Sequence, residues 1–305
     1  MTNPITFFQE QVSHKPNNTA IEFEQNSFSY QELDILSNKV ANFLKVEGVE
    51  SGDHIAICLD KSISAYSIII ACLKFRVTYF CVDPENPTSR KISILKNSNV
   101  RILFTEESIE CDDKKFTTII CPSKGKVPKF ILKSSAEFFV NSGNDSLPAY
   151  IMFTSGSTGK PKGAVISCSN LFYFICWIKS EYDFSPNLKH SHINPLYFDN
   201  SIFDIYSTFM TGGTLVPIDH DTLRNPISIA KRIAKTKCDI WFSVPSLLIM
   251  LQALDVSGKK YLGNLKYIIF GGEGYPKVKL FEIFSELSPK CKFYNVYGPT
   301  ECTCI

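Results

Sequence analysis

Apolar residues in this chain come in short bursts whose spacing alternates between two periods. Compact runs rich in apolar, β-branched and aromatic residues at 54–59, 78–82, 100–104, 239–242, 265–270 and 292–296 read as strands, with shorter candidates at 117–120 and 214–217. Between them, helical spacing predicts helices at 62–75, 90–96, 170–179, 202–210, 227–235, 246–254 and 277–287. Ser29-x-x-Glu32 predicts a capping box ahead of a helix carrying Leu33, Leu36, Val40, Phe43 and Leu44 on one face. Strands separated by single helices build βαβ units and a parallel sheet. One sheet of this many strands would be unusually large. The expectation is therefore an α/β protein with two stacked, parallel-rich sheets flanked by helices, its two subdomains meeting near 165–190. Residues 106–146 are polar and rich in Lys and Ser, and are expected to form a variable surface region.

Composition narrows the class. With 44% hydrophobic and 20% charged residues over 305 positions, the chain is long enough to bury a large core. A net charge of +2, without long basic runs, calls for neither nucleic acid nor an anionic membrane. No stretch reaches the ~20 apolar residues of a membrane span. The N-terminus lacks a signal pattern, so the expected compartment is the cytosol. The 11 cysteines fall mostly inside apolar runs and read as buried small hydrophobes. No C-x-x-C occurs, and His190 and His192 lack a local partner for a metal site.

The run T-S-G-S-T-G-K-P-K-G at 154–163 breaks the apolar pattern. It holds three glycines, two lysines and four hydroxyls. Glycines let backbone N–H groups approach an anion, and the hydroxyls and lysines add donors and charge. A flexible linker has similar composition, but the strand-like segments 149–153 and 163–166 on either side favour an ordered hairpin turn. A Walker loop needs four residues between Gly and Gly-Lys; here two residues separate Gly156 from Gly159-Lys160, and Pro161 follows. Three further candidates stand at element ends, where parallel sheets bind ligands. Gly271-Gly272-Glu273-Gly274 follows a strand, as does Asn295-Val296-Tyr297-Gly298-Pro299-Thr300-Glu301. Phe198-Asp199-Asn200-Ser201 precedes an apolar helix. Each could equally be a structural turn, and Asp199 could be an ordinary helix N-cap.

Together these segments resemble the adenylate-forming enzymes: acyl-CoA synthetases, luciferases and the adenylation domains of peptide synthetases. Phe28-Ser29-Tyr30-Gln31-Glu32-Leu33 and the stretch from Asp83-Pro84 to Phe104-Thr105 extend the resemblance over nearly the whole chain, as the family's large N-terminal domain. At Leu73-Lys74-Phe75-Arg76 the family usually carries Ala-Gly after Leu-Lys. The resemblance implies Mg·ATP as co-substrate, with Thr154, Ser155, Gly156, Ser157, Thr158, Gly159 and Lys162 around its phosphates. It implies Asn295, Tyr297, Gly272 and Glu273 around adenine, Thr300 on phosphate and Glu301 on Mg²⁺. Phe198-Asp199-Asn200-Ser201 is similar to the amino-acid-activating branch, where the aspartate pairs with the α-ammonium group. Residues 203–215 and 241–246 look closest to D-alanine–carrier protein ligases. Phe203, Ile269, Gly271, Val296 and Cys304 match the side-chain pocket, and their apolar character suits a small or hydrophobic amino acid. The implied partner is a carrier protein bearing a phosphopantetheine thiol.

Ile305 follows Glu301 by four residues, whereas the family continues into a hinge and a mobile C-terminal domain that supplies a lysine. The expectation is a truncated adenylation core with an incomplete catalytic set and impaired activity. A non-catalytic nucleotide- or carrier-binding remnant and an acyl-CoA or fatty-acid ligase fragment are the alternatives.

Overall fold

A computed structural model describes residues 3–110, 116–122, 126–138, 140, 145–155, 161–287 and 289–304. Among these, 13 strands form two sheets. The six-stranded sheet holds β3 (His54–Cys58), β4 (Thr78–Cys81), β5 (Val100–Thr105), β6 (Thr117–Ile120), β7 (Pro148–Ser155) and β8 (Pro161–Ser167), in the order β6-β5-β3-β4-β7-β8. The seven-stranded sheet holds β1 (Thr19–Glu22), β2 (Ser27–Ser29), β9 (Lys189–His192), β10 (Thr214–Pro217), β11 (Ile240–Ser243), β12 (Tyr267–Gly271) and β13 (Lys292–Val296), in the order β13-β12-β11-β9-β10-β1-β2. Each is parallel except for one antiparallel edge strand, β8 on β7 and β2 on β1. The α/β expectation of two parallel-rich sheets therefore holds.

The strands lie close to the apolar runs, and β13 and the helix Lys277–Leu287 match the expected bounds. The capping box forms: the Ser29 hydroxyl accepts from the Glu32 N–H at 3.2 Å, and the Glu32 carboxylate accepts from the Ser29 N–H at 2.7 Å. The sequence pattern did not reveal the helix Ile5–His14 or the strands β1, β2 and β9. β1 is four residues long and joins the sheet between its neighbour β2 and β10, almost two hundred positions away.

The helix Ile63–Phe75 is apolar nearly all round, Asn200–Phe209 is half polar, and both are buried on nearly every face. One continuous core joins them to strands of both sheets. At the end of Ile63–Phe75, where the family usually has Ala-Gly, the larger residues are accommodated by specific partners. The Phe75 ring packs edge-on against Phe138, with centroids 5.7 Å apart. Arg76 takes the left-handed cap conformation (φ 59°) that normally favours glycine. Its buried guanidinium pairs with Asp145 at 3.0 Å.

In each sheet the order reverses around one strand. The chain leaves β3 to lay β4 on one side and later β5 on the other; it leaves β9 to lay β10 on one side and β11 on the other. Crevices at such reversals are the usual ligand sites of open parallel sheets. Here the two reversals face each other, and a lysine fills the space between them. Lys61, just past β3, donates to the carbonyls of His192 (2.8 Å) and Ile193 (2.7 Å) after β9, and of Ile218 (3.0 Å) after β10. Burial pulls its ammonium well below the usual lysine range, with Asp204 acting in the opposite sense. Burial also raises the Asp204 carboxyl, against the amide of Asn194, which donates to it at 2.9 Å. Replacing Lys61 by Met should take this donor from the Ile193 and Ile218 carbonyls, while His192 keeps the Ile218 N–H at 3.1 Å, and lower the unfolding free energy by about 3 kcal/mol. Urea denaturation would measure this, and a change below about 0.5 kcal/mol, as at an ordinary surface site, would refute it.

Candidate functional site

With the reversal crevice occupied, the large opening lies one strand over. A cleft of about 390 Å³ is bounded by the ends of β4 and β7, the helix Thr88–Lys96, residues 197–199 and Thr300. Its walls include Cys81, Val82, Ile94, Met152 and Phe153, and its polar groups include Asp83, Asn86, Arg90, Thr154, Asp199 and Thr300.

Three residues singled out in the sequence meet in this cleft: Thr154, Asp199 and Thr300. Asp199 precedes the helix Asn200–Phe209 but makes no side-chain cap to it, so the ordinary N-cap reading fails. Instead its carboxylate accepts a 2.5 Å hydrogen bond from the Thr300 hydroxyl, 101 positions along the chain. Thr154 pairs with Lys162 across the β7–β8 hairpin, and its hydroxyl donates to the Lys162 carbonyl at 3.4 Å. The Lys162 side chain is exposed. The 3-10 turn Thr300–Cys302 packs against β8, so hairpin and turn form one edge of the cleft. Gly156, Ser157, Thr158 and Gly159 lie outside the described residues, as does the side chain of Ser155.

A second group forms a crest at the ends of β12 and β13. Gly271 pairs with Val296, and a Cβ at Gly271 would collide with the Val296 carbonyl oxygen. Gly272 follows in the left-handed region at φ 86°, so glycine is required at both positions for distinct reasons. Glu273 is exposed and accepts from the Ser246 N–H at 3.2 Å. Asn295 is exposed, and Tyr297, at 91% exposure, has its whole ring free. Glu301 is exposed too.

The residues expected to line a side-chain pocket are not open. Phe203 and Ile269 are fully buried and Cys304 nearly so, while Val296 is half-buried. The Phe203 ring is boxed by Phe242 (5.1 Å), Tyr182 (5.6 Å) and Phe184 (6.3 Å). Thr303 and Cys304 both adopt positive φ, 69° and 86°, and this double turn brings the Cys304 thiol to the backbone N–H of Phe203. Burial raises that thiol well above its usual range. Nearby, the Tyr150 hydroxyl is buried with no hydrogen-bond partner among the described residues.

Sequence reasoning missed Asn86, Arg90, Tyr197 and Met152, and read Asp83 only within strand-ending and resemblance segments. The available signal was position: Asp83 and Asn86 follow directly on a parallel strand, where ligands gather.

Comparison with known proteins adds the family. The AMP-binding enzyme family profile matches residues 8–305. The chain belongs to this family. It is 30% identical over 294 residues to gramicidin S synthase 2 of Brevibacillus brevis, which spans 96% of this chain and 6% of that protein. It is 28% identical over 303 residues to the L-proline--[L-prolyl-carrier protein] ligase of Pseudomonas fluorescens, covering 95% of this chain and 59% of the ligase. The chain thus spans well under two thirds of the length of these curated relatives. In fold it resembles the Klebsiella oxytoca NpsA N-terminal subdomain solved with 3-hydroxybenzoyl-AMSN, with a TM-score of 0.84 at 21% identity over 98% of this chain and 73% of that one. Phe203→Ala should remove a boxed ring and cost about 3–5 kcal/mol of stability. Thermal unfolding would check this, and a shift of only a degree or two would mean the box can collapse or is already loose.

Proposed function

We propose that this chain takes part in ATP-dependent amino-acid activation, forming an aminoacyl adenylate that is passed to a carrier-protein thiol. The observation that carries the reading is the Asp199–Thr300 hydrogen bond inside the cleft that begins at Thr154. It links the residue proposed for the substrate's ammonium group to the segment proposed for the nucleotide.

In this reading Thr154, the loop from Ser155 to Gly159, and Lys162 hold the phosphates, where fixed donors and charge do most of the work of such transfers. Asn295 and Tyr297 hold adenine, with Gly272 and Glu273 at its flank. Thr300 bridges phosphate and Asp199. The substrate carboxylate forms a bond to the α-phosphorus as the bond to pyrophosphate breaks. A charged ammonium group explains a carboxylate at Asp199, since a fatty acid would leave it without a counter-charge. The closed space around Phe203, Ile269, Gly271, Val296 and Cys304 supports a small side chain. Among the described residues no group of three or more acidic, His or Cys side chains could cage a metal. The exposed Glu301 fits Mg²⁺ arriving with the phosphates, which typically keeps several waters and takes one or two carboxylates. The carrier-thiol step rests on kinship with a prolyl-carrier protein ligase. Cytosolic residence accords with the ten described cysteines all being free thiols and with no helix among the described residues being long and apolar enough to cross a membrane.

Asp199→Asn keeps an acceptor for Thr300 but removes the charge. Calorimetric titration with Mg·ATP, and with glycine, alanine and serine in the presence of a non-hydrolysable ATP analogue, tests the assignment. Amino-acid binding should fall at least tenfold while ATP binding stays within about twofold. Wild-type protein that binds no ATP, or a variant with undiminished amino-acid binding, would sink the reading.

A further inference from the structure

The cleft contains an arginine that neither the sequence motifs nor the proposed roles above use. Both carboxylates that line it are already engaged. Asp199 accepts from Thr300; Asp83 accepts from the Glu85 N–H at 2.9 Å and from the Tyr197 hydroxyl. Arg90 lines the same cleft and is exposed, and its side chain makes no hydrogen bond or ion pair among the described residues. It also stands in the first turn of the helix Thr88–Lys96, which has no acidic residue there to offset it. A cation at that end of a helix opposes the helix dipole by a few tenths of a kcal/mol or more. Local stability alone gives no reason for arginine here, whereas an anionic ligand in the cleft does.

We infer that Arg90 binds the pyrophosphate end of ATP. The inference rests on the nucleotide reading proposed above. Thr154 and Thr300, the residues proposed for phosphate contact, line the same space, so a ligand reaching them enters the cleft that Arg90 also lines. When the α–β phosphoanhydride bond breaks, its electron pair leaves with pyrophosphate, which gains a negative charge. A guanidinium, with planar paired donors, matches a phosphate better than an ammonium does. The other anions that the proposed reaction places here are the substrate carboxylate and the α-phosphate that stays with AMP.

Calorimetry of the wild-type chain and of Arg90→Ala and Arg90→Lys separates these cases, using Mg·ATP, inorganic pyrophosphate, AMP and alanine as probes. Arg90→Ala should weaken ATP and pyrophosphate binding at least tenfold and leave AMP and alanine within about twofold, with Arg90→Lys between. Because Arg90 is exposed and unpaired among the described residues, its thermal midpoint should move little. Unchanged ATP and pyrophosphate binding in Arg90→Ala overturns the inference and leaves the proposed function standing. Equal losses for AMP, or a loss confined to alanine, also overturn it, the latter assigning Arg90 to the substrate carboxylate. Wild-type protein that binds neither ATP nor AMP overturns the proposed function and this inference with it.

Discussion

The Lys61 ammonium ties the two sheets together at the ends of their strands, across a continuous apolar core. Carbonyls at the ends of parallel strands carry partial negative charge, and three of them, from two strands of one sheet, converge where Lys61 arrives from the other; the His192 carbonyl also accepts from the Ile218 N–H at 3.1 Å. Buried carbonyls without donors cost about 1–3 kcal/mol each, so the meeting of the sheets is tolerable only with a donor of this reach and number. The same lysine occupies the crevice that a ligand would ordinarily use. The open volume is thereby displaced to the neighbouring ends of β4 and β7, which is where the cleft lies.

The cleft is consequently a joint product of both sheets. The six-stranded sheet supplies Asp83, Arg90 and Thr154; the loops of the seven-stranded sheet supply Asp199 and Thr300. Its geometry is held by pairings that tolerate little slip. Hairpin register sets Lys162 opposite Thr154, and glycine at 271 lets β12 and β13 close against each other. A one-residue shift in either would reverse which side chains face the site. The Asp199–Thr300 hydrogen bond then ties the two loop segments together across 101 positions.

Places where the chain departs from its relatives' usual pattern show how packing absorbs local misfit. Glycine would suit the left-handed end of the helix Ile63–Phe75, and Arg76 pays for its φ of 59° with a buried ion pair to Asp145. Phe75 finds an aromatic partner in Phe138, within the polar stretch that had looked like mere surface. Phe203 presents the reverse case. Its position suggested a pocket wall, and the ring is fully buried among three other aromatics.

Much of this molecule was legible in one dimension. Most strands and helices between β3 and β13 followed from apolar spacing, because burial on a sheet or helix face imposes a period on neighbouring residues, but β9, Lys-His-Ser-His, carries no apolar side chain and did not. The expectation of an anion-binding loop at 154–163 came from composition, because no packed element favours three glycines, two lysines and four hydroxyls in ten positions. What spacing could not reveal depends on partners far along the chain. β1 joins the sheet because β10 is there to pair with it; Asp199 abandons its helix because Thr300 reaches it; Arg90 becomes a cleft residue because the ends of β4 and β7 lie side by side. Local periodicity records which residues are buried, whereas which buried or facing groups meet is decided only when strand order brings distant segments together.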